Sequence, residues 1–79
     1  MKILIVDDEI LARNRIKTLL KGRNDIEQVK ESQSGEAAIL LVQEFKPDLV
    51  FLDIDLKDMT GFDVLDSLKD EHKPILNQK

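Results

Sequence analysis

The sequence predicts an α/β fold, a doubly wound parallel sheet in which short strands alternate with helices. Two continuous apolar runs, residues 3–6 and 49–52, are each followed at once by an acidic residue. Segments with the spacing of amphipathic helices follow the first run and precede the second. Continuous apolar runs are typical of strands buried on both faces, and strands that alternate with helices join by right-handed crossovers into a parallel sheet.

The first strand is the run at residues 3–6, and a helix follows it. From Ile10 onward apolar residues recur with helical spacing, and Asp8 and Glu9 lie near the positive N-terminal end of that helix. Gly22 is placed to end the helix, as glycine often does. We expect the apolar face of this helix to contain Ala12, Ile16, Leu19 and Leu20.

The second strand has the weakest signal, because residues 26–31 are mostly polar, and we expect it near a sheet edge. Residues 34–36, Ser-Gly-Glu, open a second helix. Pro47 marks its end, since proline cannot continue a helix. The apolar face of this helix is expected to contain Ala38, Leu41, Val42 and Phe45.

The third strand, residues 49–52, is expected at the centre of the sheet. A loop at residues 54–61 follows it, and then a short helical pattern through Phe62, Leu65 and Leu68. Residues 73–76 predict only the start of a fourth strand, because three residues remain after them. We therefore expect one domain over residues 1–79 that is truncated at its C-terminus.

Composition and charge exclude several classes of function. Twelve basic residues against sixteen acidic ones give a net charge of −4, and the basic residues are scattered, which disfavours direct nucleic-acid binding. No apolar run is long enough to span a membrane. The absence of cysteine removes disulfide and thiolate chemistry and favours a cytoplasmic location.

Acidic residues follow two of the predicted strands. Asp7 and Asp8 come directly after the first strand, and Asp53 comes directly after the third. If these strands are neighbours, the three carboxylates converge at the carboxyl edge of the sheet, where ligands bind in folds of this class. Each close pair of like charges costs about 4 kcal/mol at an effective dielectric constant of about 20. A hard divalent cation such as Mg²⁺ would offset that cost.

An ion at this edge points to phosphoryl chemistry. Mg²⁺ is commonly held by one or two carboxylates together with phosphate oxygens, and an aspartate that attacks phosphorus forms an acyl phosphate. The alternative is structural, because a single aspartate after a strand is more often a helix cap or a turn former. We assign that structural role to Asp48 and the functional role to Asp7, Asp8 and Asp53.

Four segments resemble the receiver domains of two-component response regulators: residues 2–9, 34–38, 47–54 and 59–65. The resemblance implies the fold of that family, a flavodoxin-like (CheY-like) sheet. The family is a standard example of the flavodoxin-like strand order. It also implies that a histidine kinase is the partner that supplies the phosphoryl group. A receiver accepts this group on its own aspartate, so it is not an enzyme in the classical sense.

The resemblance also assigns roles to individual residues. It implies that Asp53 is the phosphoacceptor, Asp8 a direct Mg²⁺ ligand and Asp7 a ligand through water. Asp55 is implied as a ligand through its backbone carbonyl. Glu9 flanks this site without an assigned role.

Two departures from the family pattern affect what this chain is expected to do. Leu56-Lys57 stands where many members have Met-Pro, which alters the loop without removing a ligand. The Ser or Thr and the Lys that the family's fourth and fifth strands supply lie beyond the end of this sequence. The first helix is similar to that of regulators with a LytTR-type DNA-binding domain, but we expect no effector domain within residues 1–79.

Truncation would leave the edge of the third strand bare, and bare edges pair with other chains. We therefore expect a homo-oligomer through that edge.

Two rival functions stay open. The chain could be a phosphorylation-incompetent fragment that acts as an interaction module, or a haloacid-dehalogenase-like phosphatase, whose nucleophile motif Asp53-Ile54-Asp55 resembles, although Lys57 departs from it.

Overall fold

The computed structural model describes residues 1–68 and 75–77 of the chain. Four parallel strands form one sheet in the order β2-β1-β3-β4. The strands are β1 (Lys2–Val6), β2 (Gln28–Ser32), β3 (Leu49–Leu52) and β4 (Ile75–Asn77). The helices are α1 (Ile10–Leu20), α2 (Gly35–Phe45) and α3 (Gly61–Ser67). The predicted doubly wound α/β fold with a flavodoxin-like strand order is confirmed.

The register of β1 and β3 brings the two acidic segments together. Val6 and Leu52, the last residues of the two strands, are partners in the sheet. The pairing continues one residue further, because the backbone N–H of Asp53 donates to the carbonyl of Val6 at 3.0 Å. Asp7 and Asp53 therefore emerge side by side at the carboxyl edge, as the apolar runs predicted.

The core lies on both faces of the sheet. Alternate residues of β1 point to opposite faces: Leu4 and Val6 join one cluster, and Ile3 and Ile5 join the other. The first cluster includes side chains of α2 together with Val64 from α3, whereas the second includes Ile16 from α1. All four of these β1 side chains are fully buried, which explains the continuous apolar run.

The prediction for the buried face of α1 is wrong at Leu19, which is 75% exposed. Arg13 is buried instead, together with Ile16. Helical residues advance by about 100° each, so a face centred between Arg13 and Ile16 leaves Leu19 on its solvent side. The apolar pattern alone could not show that a charged residue faces inward.

The ends of α2 and α3 follow from local sequence. The Ser34 side chain accepts a hydrogen bond from the N–H of Ala37 and so caps α2. Thr60 and Asp63 form a reciprocal capping box at the start of α3. The predicted helical pattern after the loop is confirmed as α3, in which Val64 is buried and Phe62 is 63% exposed; Leu68, just beyond the helix, is buried as well.

The expectation that β3 has a bare edge is wrong, because β4 pairs with it over three residues, from Val50↔Ile75 to Leu52↔Asn77. The edge strand on this side is therefore β4, as the start of a fourth strand predicted. Homo-oligomerisation through a sheet edge stays a prediction. Among the described residues, none of the helices is both long and apolar enough to cross a bilayer.

Candidate functional site

Three aspartates meet at the carboxyl edge of the sheet. Asp7, Asp8 and Asp53 each place a carboxylate oxygen within 4.8 Å of the other two. Asp53 is fully buried and Asp7 is nearly so, whereas Asp8 is half-buried. The convergence expected from the two strand ends is therefore confirmed.

The electrostatics of this cluster disfavour three full negative charges. Burial raises the pKa of Asp7 above its ordinary value, and the carboxylates of Asp53 and Asp8 raise it further. The backbone N–H of Glu9 opposes this effect, because it donates to Oδ1 of Asp7 at 3.0 Å and stabilises the ionised form. A cation at the cluster would favour the ionised form of Asp7.

The donor set fits a hard cation such as Mg²⁺, because it consists of oxygen atoms alone. Two oxygens bound directly to one Mg²⁺ at about 2.1 Å lie at most about 4.2 Å apart. Separations of up to 4.8 Å are compatible with direct ligands together with one that acts through water. The geometry thus accommodates the roles that the family resemblance implied for Asp8 and Asp7.

Asp55 reaches the site through its main chain. Its side chain is exposed, and its backbone N–H donates to Oδ1 of Asp53 at 3.2 Å. This hydrogen bond restricts rotation of the Asp53 carboxylate. Ligation of an ion by the Asp55 carbonyl stays a prediction.

Gly61 fixes the base of the loop at residues 54–60, hereafter the 54–60 loop. The N–H of Gly61 donates to the carbonyl of Ile54 at 2.5 Å, and Asp55 forms an antiparallel bridge with Thr60. A Cβ on Gly61 would lie 2.6 Å from the carbonyl oxygen of Asp53. The close turn beside the acid therefore requires glycine at this position.

The first residue that the sequence reasoning missed is Arg13. Its Nη1 donates to the backbone carbonyl of Asp7 at 2.7 Å, and its Nε donates to Oε1 of Glu31 on β2 at 3.0 Å. Glu31 also accepts from Nζ of Lys17 at 2.8 Å. Lys17 and then Arg13 hold the pKa of Glu31 below its usual value of 4.5. The sequence places Arg13 on the same helical face as Ile16 and Leu20, at i+3 and i+7, but this spacing does not identify the partners of Arg13.

The second missed residue is Asp58, in the 54–60 loop. Its Oδ1 accepts from the backbone N–H of Gly35 at 2.9 Å, and its Oδ2 accepts from that of Glu36 at 3.0 Å. These amides hold the pKa of Asp58 below its ordinary value. The sequence carried no signal for this contact, because it joins residues more than twenty positions apart that share no periodicity.

Asp48 makes a structural contact and does not belong to the acidic cluster. Its Oδ2 accepts a hydrogen bond from the backbone N–H of Lys2 at 2.7 Å, at the amino end of β1. The opposite end of that strand carries the acidic cluster. Leu56-Lys57 is the position where the chain departs from the family's Met-Pro. Leu56 is 5% exposed and lies in the core, whereas Lys57 is exposed on the surface of the 54–60 loop.

Comparison of the sequence with protein families finds the response regulator receiver domain, which matches residues 3–77. The sensory transduction protein LytT of Bacillus subtilis (strain 168) is 43% identical over 77 residues, or 96% of this chain and 32% of that protein. The transcriptional regulatory protein BtsR of Salmonella typhi is 42% identical over 76 residues, again 96% of this chain and 32% of that protein. The chain spans about a third of the length of these curated relatives.

Solved structures show the same fold. The MaeR response regulator bound to beryllium trifluoride superposes with a TM-score of 0.91 at 26% identity, over 98% of this chain and 65% of that one. The response regulator domain of Thermotoga maritima CheB gives a TM-score of 0.87 at 23% identity, over 98% and 58% of the two chains. These findings favour the receiver reading over the phosphatase reading.

Proposed function

The chain belongs to the family of response regulator receiver domains of two-component systems, and we propose that Asp53 accepts a phosphoryl group from a histidine kinase with the help of Mg²⁺. Receiver domains in general are phosphorylated by such kinases and use Mg²⁺ at an acidic pocket. The observation that carries the proposal is the convergence of Asp7, Asp8 and Asp53 within 4.8 Å.

Asp53 is the nucleophile in this proposal. One carboxylate oxygen forms a bond to phosphorus while the bond from phosphorus to the donor's imidazole nitrogen breaks, and the imidazole leaves with the electron pair. The N–H of Asp55 holds Oδ1 of Asp53, so the carboxylate keeps one orientation. Burial of Asp53 keeps bulk water from competing for its oxygens.

The neighbouring acids would hold the ion. We assign Asp8 as a direct ligand, Asp7 as a ligand through water, and Asp53 and the carbonyl of Asp55 as further ligands. When bound, Mg²⁺ would neutralise charge on the phosphoryl oxygens and on the acids. The pKa of Asp7, raised by burial and by its acidic neighbours, supports a cation at this position.

The test of this proposal is the intact mass of the protein after incubation with a small acyl phosphate. We expect one phosphoryl adduct in the presence of Mg²⁺, little adduct in EDTA, and none in Asp53→Asn. Glu44→Gln is the control, because it removes an exposed carboxylate on α2 and should keep the adduct. The absence of an adduct in folded wild-type protein would contradict the proposal and favour the interaction-module reading.

Two expectations about the surroundings of the protein belong to the same proposal. We propose a cytoplasmic location, where a kinase could reach the site, and self-association through the edge of the sheet. The second rests on β4, which is the edge strand beside β3. Sedimentation that finds a monomer at high protein concentration would contradict it.

A further inference from the structure

We propose that Asp58 couples the ion site to the first turn of α2, so that ion binding and the order of that turn support each other. The inference rests on the proposed function only in taking the acidic cluster as an ion site. It assigns Asp58 a positioning role, because its side chain contacts neither the acids nor the reacting group. Its two carboxylate oxygens accept hydrogen bonds from backbone amides of a different element.

Asp58 joins two parts of the fold that are distant in sequence. Each of its carboxylate oxygens accepts from a different N–H, those of Gly35 and Glu36, at 2.9 and 3.0 Å. Both are first-turn amides of α2, which have no partner within the helix. A negative charge there also interacts favourably with the helix dipole. The side chain of Asp58 therefore acts as an N-terminal cap of α2, although Asp58 belongs to the 54–60 loop.

A second contact fastens the same two parts. Met59 packs so closely against Gly35 that a Cβ on Gly35 would overlap the Met59 side chain. Ser34 caps the same turn from its other side by accepting from the N–H of Ala37. The tip of the 54–60 loop thus lies directly on the first turn of α2.

The link from Asp58 back to the ion site is short and stiff. Asp58 lies three positions after Asp55, whose N–H donates to the Asp53 carboxylate. A chain of three residues spans at most about 11 Å. Leu56, within this stretch, is buried in the core, so the stretch cannot move freely. A shift in the position of Asp58 would therefore also shift Asp55 and its backbone carbonyl.

Linkage requires the coupling to act in both directions. If the hydrogen bonds of Asp58 place the Asp55 carbonyl for an ion, then the bound ion must stabilise those hydrogen bonds by the same factor. Ion binding would then slow hydrogen exchange at the N–H groups of Gly35 and Glu36. A side chain that only stabilised the fold would not connect these two measurements.

The experiment titrates Mg²⁺ into the protein without any phosphoryl donor and follows binding and amide exchange by NMR. In Asp58→Ala we expect Mg²⁺ to bind about fivefold more weakly, at the lower end of common coupling strengths. In the wild type, Mg²⁺ should slow exchange of the Gly35 and Glu36 amides, and in Asp58→Ala it should leave that exchange unchanged.

The matched control is Glu36→Ala. It removes a negative charge from the same turn and keeps the backbone N–H that Asp58 contacts, so its Mg²⁺ affinity should stay near that of the wild type. Asp58→Asn keeps one acceptor oxygen and should fall between the wild type and Asp58→Ala. It also serves as the test variant if Asp58→Ala does not fold.

Three outcomes would overturn the inference: equal Mg²⁺ affinity in the wild type and Asp58→Ala, an equal loss in Glu36→Ala, or no binding of Mg²⁺ to the wild type. The first two, together with a normal adduct on Asp53, would leave the proposed function intact. Coupling as expected, without any adduct on Asp53, would overturn the proposed function alone.

Discussion

The two loops that bring acids to the site are held in different ways. The loop after β1 is held from inside the protein, because the buried guanidinium of Arg13 donates to the Asp7 carbonyl and to Glu31 on the next strand. The 54–60 loop is held at its tip by Asp58, which is exposed and contacts only backbone amides. The first arrangement belongs to the core, whereas the hydrogen bonds of the second lie on the surface.

This difference divides the site into a fixed half and an adjustable half. Asp7 and Asp8 lie where α1, β1 and β2 are joined by a charged network, so their positions depend on global stability. Asp55 belongs to a loop that is rigid at its base, beside Gly61, and held by surface hydrogen bonds at its tip. Segments that move in switching proteins are drawn from the less stable parts of a fold.

The largest expected effect is at the base of the 54–60 loop. Gly61→Ala would place a Cβ 2.6 Å from the Asp53 carbonyl oxygen and 2.8 Å from Cα of Ile54, both backbone atoms. We expect a loss of about 3 kcal/mol in the free energy of unfolding, as for a strongly overpacked site. Urea denaturation measures it.

Gly35→Ala is the matched comparison, because its Cβ would meet the side chains of Met59 and Val64 rather than backbone. Side chains can move aside, so this variant should lose clearly less stability than Gly61→Ala. Equal losses would contradict the division of the loop into a rigid base and an adjustable tip.

The next effect concerns the half that Arg13 holds. Arg13→Met should lower the free energy of unfolding by about 2 kcal/mol, because it removes the charged hydrogen bond to the Asp7 carbonyl and leaves Glu31 with Lys17 as its one remaining charged donor. Arg15→Met, at an exposed position on the same helix, should change it little. If both variants denature at the same urea concentration, Arg13 does not anchor the loop.

The smallest effect is a pH dependence in the same network. The pKa of Glu31 is lowered in the folded state by Lys17 and Arg13, so its contribution to stability is present above its usual pKa of 4.5 and is lost as the pH falls through the lowered value. Glu31→Gln should therefore be less stable than the wild type at pH 7. The two should converge in acid, as thermal unfolding across pH can show; a constant difference would contradict the assignment.

Much of the fold could be predicted because a strand that is buried on both faces has a continuous apolar sequence. The runs that became β1 and β3 are continuous, and each ends at an acid, so both the strands and the meeting of Asp7 with Asp53 followed. The bounds of β2 were harder to predict. The sequence analysis placed this strand at residues 26–31, whereas the structure has it at Gln28–Ser32, because only Val29 among its five residues is apolar. A polar edge strand has little hydrophobic pattern to fix its ends.

The parts that could not be predicted involve polar side chains whose partners come from other elements. Arg13 faces inward because a backbone carbonyl and a carboxylate accept hydrogen bonds from it. The apolar spacing instead placed Leu19 on the buried face of the helix. Asp58 lies in a loop, and its partner amide belongs to the distant helix α2. Specific hydrogen bonds of this kind depend on the assembled fold, and periodicity does not encode them.

The central claim is that Asp53, among the clustered acids, carries the phosphoryl group. The most direct measurement is to treat the protein with Mg²⁺ and a small acyl phosphate, trap the acyl phosphate chemically, digest the protein, and locate the modified residue by tandem mass spectrometry. We predict the label on Asp53 alone, in the wild type and in Asp58→Ala. Label on Asp7, Asp8 or Asp55, or label that persists in Asp53→Asn, would contradict the claim.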